Sequence, residues 1–205
     1  MNLRCRKPIA AGLFGMVMML AVGCSSNNNA ATEGNADEQV AAAIVAGQIP
    51  SDAAKEKMLA AKEALFTTLS GRLMEAINRQ GPAAAIAVCQ KEAPKIAERV
   101  GEEQGLRIGR TGVRLRNTNN VAPRWAEDLV RDKIDTPTFV VLDNGHSAAL
   151  LPIKLQGKCL MCHGPQDQIA PAIQEQLTKL YPHDRATGFN EGDLRGWFWI
   201  DLPNS

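Results

Sequence analysis

The chain has 205 residues, 45% hydrophobic and 22% charged, which is the composition of a soluble globular protein with one domain as the default at this length. Its formal charge of +1 becomes −2 once Arg4, Arg6 and Lys7 of a removable-looking N-terminus are set aside, so neither a strongly basic nucleic-acid binder nor an acidic tail is indicated. Five cysteines, unevenly spaced, fit no disulfide framework.

Residues 1–24 begin with basic side chains, continue through the uncharged run Pro8–Gly23 and end at Cys24. Sixteen uncharged residues fall short of the ~20 apolar residues that a spanning helix needs, so the run reads as a signal-peptide core. Ala21-Val22-Gly23-Cys24, after Leu20, resembles a bacterial lipobox, with Ala21 where Leu is usual. That resemblance implies a signal peptide over 1–23 and a lipidated Cys24 as the mature N-terminus, with a stable multi-acyl membrane anchor. Ser25 at the next position favours the outer membrane and a periplasmic location.

Residues 24–50 read as a flexible tether, polar and small in their first half, with a short helix expected in the Ala-rich stretch Val40–Ala46. A domain is expected over 51–205. Met58, Leu65, Leu69, Leu73 and Ile77 recur at helical spacing, while Lys55, Lys62 and Arg72 fall elsewhere, which predicts an amphipathic helix of roughly seven turns. Gly81-Pro82 ends it and starts a second helix. On that helix Ile86, Cys89, Ala93, Ile96 and Val100 share one face, with a bend expected at Pro94. Gly101 and Gly105 close the helical part. Leu106–Arg110 and Gly112–Arg116 are expected to be short extended segments, and Pro123–Lys133 a helix with Trp125, Leu129 and Val130 inward. Thr138–Leu142 and Ala148–Lys154 flank Asp143-Asn144-Gly145, a hairpin signature. Pro171–Leu180 reads as a helix and Gly196–Leu202 as a final strand. Helices before and inside a small antiparallel sheet make an α+β domain.

Cys159-Leu160-Met161-Cys162-His163 is C-x-x-C-H, the c-type haem attachment sequence. Two thiols separated by two residues share one local turn, so each can form a thioether to one haem vinyl group, and the adjacent histidine then offers its ring nitrogen to the iron. An exported chain suits this, because bacterial c-type haem is attached after translocation. A zinc site would want a second Cys/His pair at short spacing. A thioredoxin-like C-x-x-C would follow a strand in a parallel α/β pattern and has no need of His163. One motif implies one covalent haem c, bound through Cys159 and Cys162 with His163 as proximal ligand.

The opposite face of that iron is open from these residues alone. Cys89 is the one cysteine used neither by the signal peptide, nor by lipidation, nor by the motif. It is either a ligand or a small buried hydrophobe, the commoner role of a free cysteine. Met58, Met74, His146 and His183 are rivals. Met161 is trapped in the attachment loop.

Four blocks, Ala84–Pro94, Arg110–Pro123, Cys159–Gly164 and Tyr181–Gly196, stand in one order across Met58–Pro203. On these the chain resembles a family of PAS-like c-type haem domains, which occur as exported proteins and as sensory regions of membrane receptors. The resemblance implies a PAS-like antiparallel sheet with N-terminal helices, and Cys89 as the distal ligand opposite His163. Thr118 and Phe189 depart from the family, which has Pro and often Tyr there. A thiolate opposite histidine implies a ferric-favouring, low-potential iron. Arg107, Arg110, Arg114 and Arg116 are candidates to neutralise the haem propionates, Arg116 among them as a cofactor-binding residue. Tyr181, Phe189, Trp197, Phe198 and Trp199 are expected to build sheet core or haem wall.

Two functions follow as expectations. The first is a periplasmic redox protein that passes electrons to a partner. The second is a haem-based redox or gas sensor signalling through a separate receptor. Peroxidase-type catalysis is disfavoured, because a ligating Cys89 would close the distal site, and no enzymatic activity is expected.

Overall fold

The structure, a computed structural model, describes residues 42–204. The expected signal peptide, Cys24 and most of the tether lie outside the described residues. Ser51 starts the first helix, its hydroxyl oxygen accepting the Ala54 N–H at 3.2 Å. Helix α1 (Asp52–Gln80) buries Met58, Ala61, Leu65, Leu69 and Ala76, with Leu73 half-buried against the same core. Gly81 ends it, donating its N–H to the Ile77 carbonyl.

Helices α2 (Pro82–Lys91) and α3 (Ala93–Gln104) follow as two elements, which corrects the expectation of one helix bent at Pro94. The break falls at Glu92. Pro94 has no N–H to give and its ring crowds the carbonyl four residues back in a continuous helix, so it is placed in the first turn of a new helix. The break also divides the apolar face. Ile86 turns toward a later helix, whereas Ala93, Ile96 and Val100 join α1 under the sheet. Cys89 lies at this division.

Strands β1 (Arg107–Thr111), β2 (Thr138–Val141), β3 (Ser147–Lys154) and β4 (Leu194–Leu202) form an antiparallel sheet in the order β1-β4-β3-β2. Alternation along β4 covers both faces: Phe198, Ile200 and Leu202 meet α1 and α3, while Trp197 packs with Trp125, Val140 and Leu150 on the other side. Between the strands lie the short helices α4 (Glu127–Arg131) and α5 (Leu160–His163), then α6 (Pro171–Leu180). This is the expected α+β arrangement, with helices ahead of and inside an antiparallel sheet.

Three further details differ from the sequence reading. Gly112–Arg116 is not a strand. Arg114 and Arg116 are drawn off the sheet by hydrogen bonds to the 162–187 region. Strand β4 begins two residues early, at Leu194. Among the described residues, 42–46 form no helix. Instead, Val45 donates to Val141 (2.8 Å), Asp143 donates to Ala43 (2.9 Å) and Ile44 bridges Leu142. The open backbone edge of β2 offers these residues partners that outweigh the helical preference of alanine.

Candidate functional site

The C-x-x-C-H segment leaves β3 through one 3₁₀ turn, Gly157–Cys159, and then α5. Glu191 holds the turn by accepting the Gly157 N–H at 2.8 Å. Gly164 closes it where a Cβ would lie 2.6 Å from the Leu160 carbonyl oxygen, so a larger residue would force the backbone apart. The two thiols are free and half-buried. Cys159 packs beside Leu155, Ala186 and Phe189, and Cys162 beside Ile86, Ile169 and Ile173. Ile86 and Cys89 are three residues apart on α2, so both stand on one side of that helix. The packing of Cys162 against Ile86 therefore sets the motif beside the Cys89 side of α2.

His163 is oriented by loop 181–190. Its Nδ1 lies 2.7 Å from the Ala186 carbonyl oxygen. A carbonyl only accepts, so Nδ1 carries the proton and Nε2 is left with its lone pair free. Two backbone bonds fasten the loop to the motif, Phe189 N–H to the His163 carbonyl at 3.0 Å and Gly188 N–H to the Gly164 carbonyl at 2.7 Å. The Phe189 ring meets the imidazole edge-on, with centroids 6.4 Å apart. Desolvation, aided by Arg116, Arg195 and Arg110, holds the imidazole well below its ordinary pKa, so it stays neutral and able to ligate.

Four arginines surround this point. Arg114 lies 3.6 Å from the Phe189 ring centroid and donates to the Thr187 carbonyl. Arg195 donates to the Arg114 carbonyl and leaves its buried Nε without a partner. Arg110 lines the cavity that Cys89 faces. Burial pushes the Arg110 guanidinium down, and it pushes Arg195 down to about 10 with Arg116 and Arg110 adding to the effect. Arg116 donates through Nε to Asp184 (2.9 Å) and through Nη2 to the carbonyls of Cys162 (2.6 Å) and Ala186 (3.2 Å). These bonds leave only Nη1 for any propionate. Among the described residues Asp184 is the only carboxylate ion-paired with any of the four. Arg107 stands apart, over Trp199 and near Asp201.

Cys89 opens into a cavity of about 150 Å³ bounded by Ala93, Pro94, Arg110, Asn117 and Trp199. Gly109 shares that wall, where a side chain would collide with the Trp199 ring. Burial raises the Cys89 thiol, and Arg110, Arg116 and Arg195 oppose the rise. The same three guanidinium groups lower the His163 imidazole.

The rival residues lie elsewhere. Met58 is fully buried under the sheet, Met74 is 45% exposed, and His183 is exposed on its loop. His146 bonds Asp201 at 2.6 Å beyond the β2–β3 turn. Sequence reasoning missed Asp184, Arg195 and the Ala186 carbonyl. The first two sit in the Tyr181–Gly196 block but carried no motif of their own, and a backbone carbonyl carries no residue signal at all.

The donor set fits the group expected of the motif. It offers two free thiols on one turn, a histidine with Nε2 left over, and buried positive charge in excess of its carboxylates that suits a dianionic edge.

A family profile described as Tll0287-like matches residues 29–203. Among solved structures the chain is similar to the crystal structure of the cyanobacterial haem protein Tll0287. The two share 23% identity and a TM-score of 0.57, over 76% of this chain and 98% of that one. At that identity the likeness speaks for the fold. No curated protein matches the chain.

Proposed function

This chain belongs to the Tll0287-like family, and from that premise we propose that it is a monohaem c-type cytochrome-like protein with a redox, electron-transfer role. The observation that carries the reading is the bond from His163 Nδ1 to the Ala186 carbonyl, beside two free thiols at C-x-x-C spacing. The cyanobacterial protein of similar structure is itself a haem protein.

In this reading Cys159 and Cys162 would hold the haem through thioether bonds to its two vinyl groups. Bound haem supplies a one-electron ferric/ferrous couple. His163 would ligate the iron through Nε2. Cys89 would serve as a second iron ligand: burial raises its thiol, Arg110, Arg116 and Arg195 oppose the rise, and electron donation from a bound thiolate would favour the ferric state. Arg110, Arg114 and Arg195 neutralise the propionates, with Arg116 contributing through Nη1. With His163 and Cys89 both holding the iron, no position would be left for substrate, so the role would be that of an electron carrier and not an enzyme. The expected signal peptide and lipidated Cys24 would hold the domain in the periplasm at the outer membrane, within reach of a redox partner.

The test is ferric EPR and ferrous absorption, with and without carbon monoxide, on the wild type and Cys89→Ala. A six-coordinate thiolate signature that the substitution abolishes supports the reading, and identical spectra contradict the Cys89 assignment. Carbon monoxide replacing the thiolate on reduction would contradict the carrier role and favour a sensor.

A further inference from the structure

We propose that Arg116 is a positioning residue that sets how strongly His163 donates to the iron, by sharing the Ala186 carbonyl with it. The inference rests on the haem reading above.

A carbonyl oxygen has two lone pairs and can serve two donors. Ala186 serves both, accepting from His163 Nδ1 at 2.7 Å and from Arg116 Nη2 at 3.2 Å. The strength with which an acceptor pulls on the Nδ1 proton governs how basic Nε2 becomes as a ligand. A cationic donor on the same oxygen withdraws electron density from it and weakens that pull. Arg116 thus restrains the imidazole from becoming imidazolate-like, which keeps the iron's potential higher than the Ala186 bond alone would set it.

The arrangement is built to hold this geometry. Asp184 accepts from Arg116 Nε through Oδ2 and from the Ala186 N–H through Oδ1, at 2.9 and 2.8 Å. One carboxylate therefore anchors both donor and acceptor. Arg116 also donates to the Cys162 carbonyl, immediately before His163. The side chains of Arg116 and Asp184 are 6% and 10% exposed, so water does little to screen them.

Removing Arg116 alone would change charge and hydrogen bonding together and would leave Asp184 buried and unpaired. The informative variant is therefore Arg116→Met with Asp184→Asn. It removes one charge of each sign, leaves an amide oxygen for the Ala186 N–H, and frees the carbonyl from its second donor. The experiment uses the purified haem-loaded protein. It measures covalent haem per chain, the midpoint potential, and the His163 Nδ1 proton resonance of the ferrous state after ¹⁵N-histidine labelling. The expected result, read per haem-loaded chain, is a midpoint shifted negative and an Nδ1 proton shifted downfield. Arg116→Lys, which keeps the charge and one donor, should stand nearer the wild type on both readings. Wild-type potential and resonance in the double variant would overturn the proposal. Should the variants fail to fold, the wild type decides, because a His163 Nδ1 without a slowly exchanging proton overturns it. A wild type without covalent haem overturns the haem reading instead, and the two failures are thereby distinct.

Discussion

Phe189 meets the His163 ring edge-on at 81°, and the Arg114 guanidinium rests 3.6 Å from the centroid of that same phenyl ring. The phenyl ring thus joins the His163 imidazole to the arginine cluster. Phe189→Leu removes the aromatic face that Arg114 uses and the edge that bounds the imidazole. It should cost about 1–2 kcal/mol of stability and broaden the low-spin EPR signal as the imidazole plane is freed. Urea unfolding and ferric EPR check the two effects.

The Arg116–Asp184 pair should show the asymmetry of buried ion pairs. Asp184→Asn alone strands a buried guanidinium and is expected to cost about 3–5 kcal/mol. Arg116→Met with Asp184→Asn should cost less than the two single changes added together. A double-mutant cycle from chemical denaturation measures the coupling.

Trp197 is fully buried between β3 and β1, and its indole N–H donates to the Ile134 carbonyl at 2.6 Å. Trp197→Phe keeps much of the packing but leaves that carbonyl short of a partner. The expected loss is about 1–3 kcal/mol, read as a lower urea midpoint at unchanged slope.

Tyr181 is the single tyrosine of the chain, so its phenol can be titrated without assignment. Burial, with Cys89 nearby, pushes it from its ordinary 10 up to about 12. The folded state then keeps its proton where the unfolded state loses it. Its contribution to stability is complete below pH 10 and lost as pH rises through about 12. Ultraviolet difference titration should place the phenolate midpoint well above that of the urea-unfolded chain, and coincident midpoints would contradict this.

Local signals made most of the fold legible. Helical periodicity marked α1 from Met58 to Ile77, and β-rich runs flanking the Asn144-Gly145 turn marked the hairpin. What escaped was decided by tertiary partners. Residues 42–45 follow the β2 edge because that edge has backbone groups to satisfy, and nothing in an alanine-rich stretch records it. Gly112–Arg116 alternates like a strand, yet its arginines are claimed by Asp184 and by loop carbonyls some seventy residues away. The site divides in the same manner. C-x-x-C-H is contiguous and was readable, whereas the Ala186 acceptor and the unpartnered Nε of Arg195 exist only once loop 181–190 folds over the motif.

The most direct test of the account is the mass and acid–acetone behaviour of the mature protein purified after export. The account predicts one haem per chain that acid–acetone does not extract, and its conversion to extractable haem when Cys159 and Cys162 are both replaced by Ser. A wild-type chain whose mass is that of polypeptide and anchor alone, with Cys159 and Cys162 both titrating as free thiols, would contradict it.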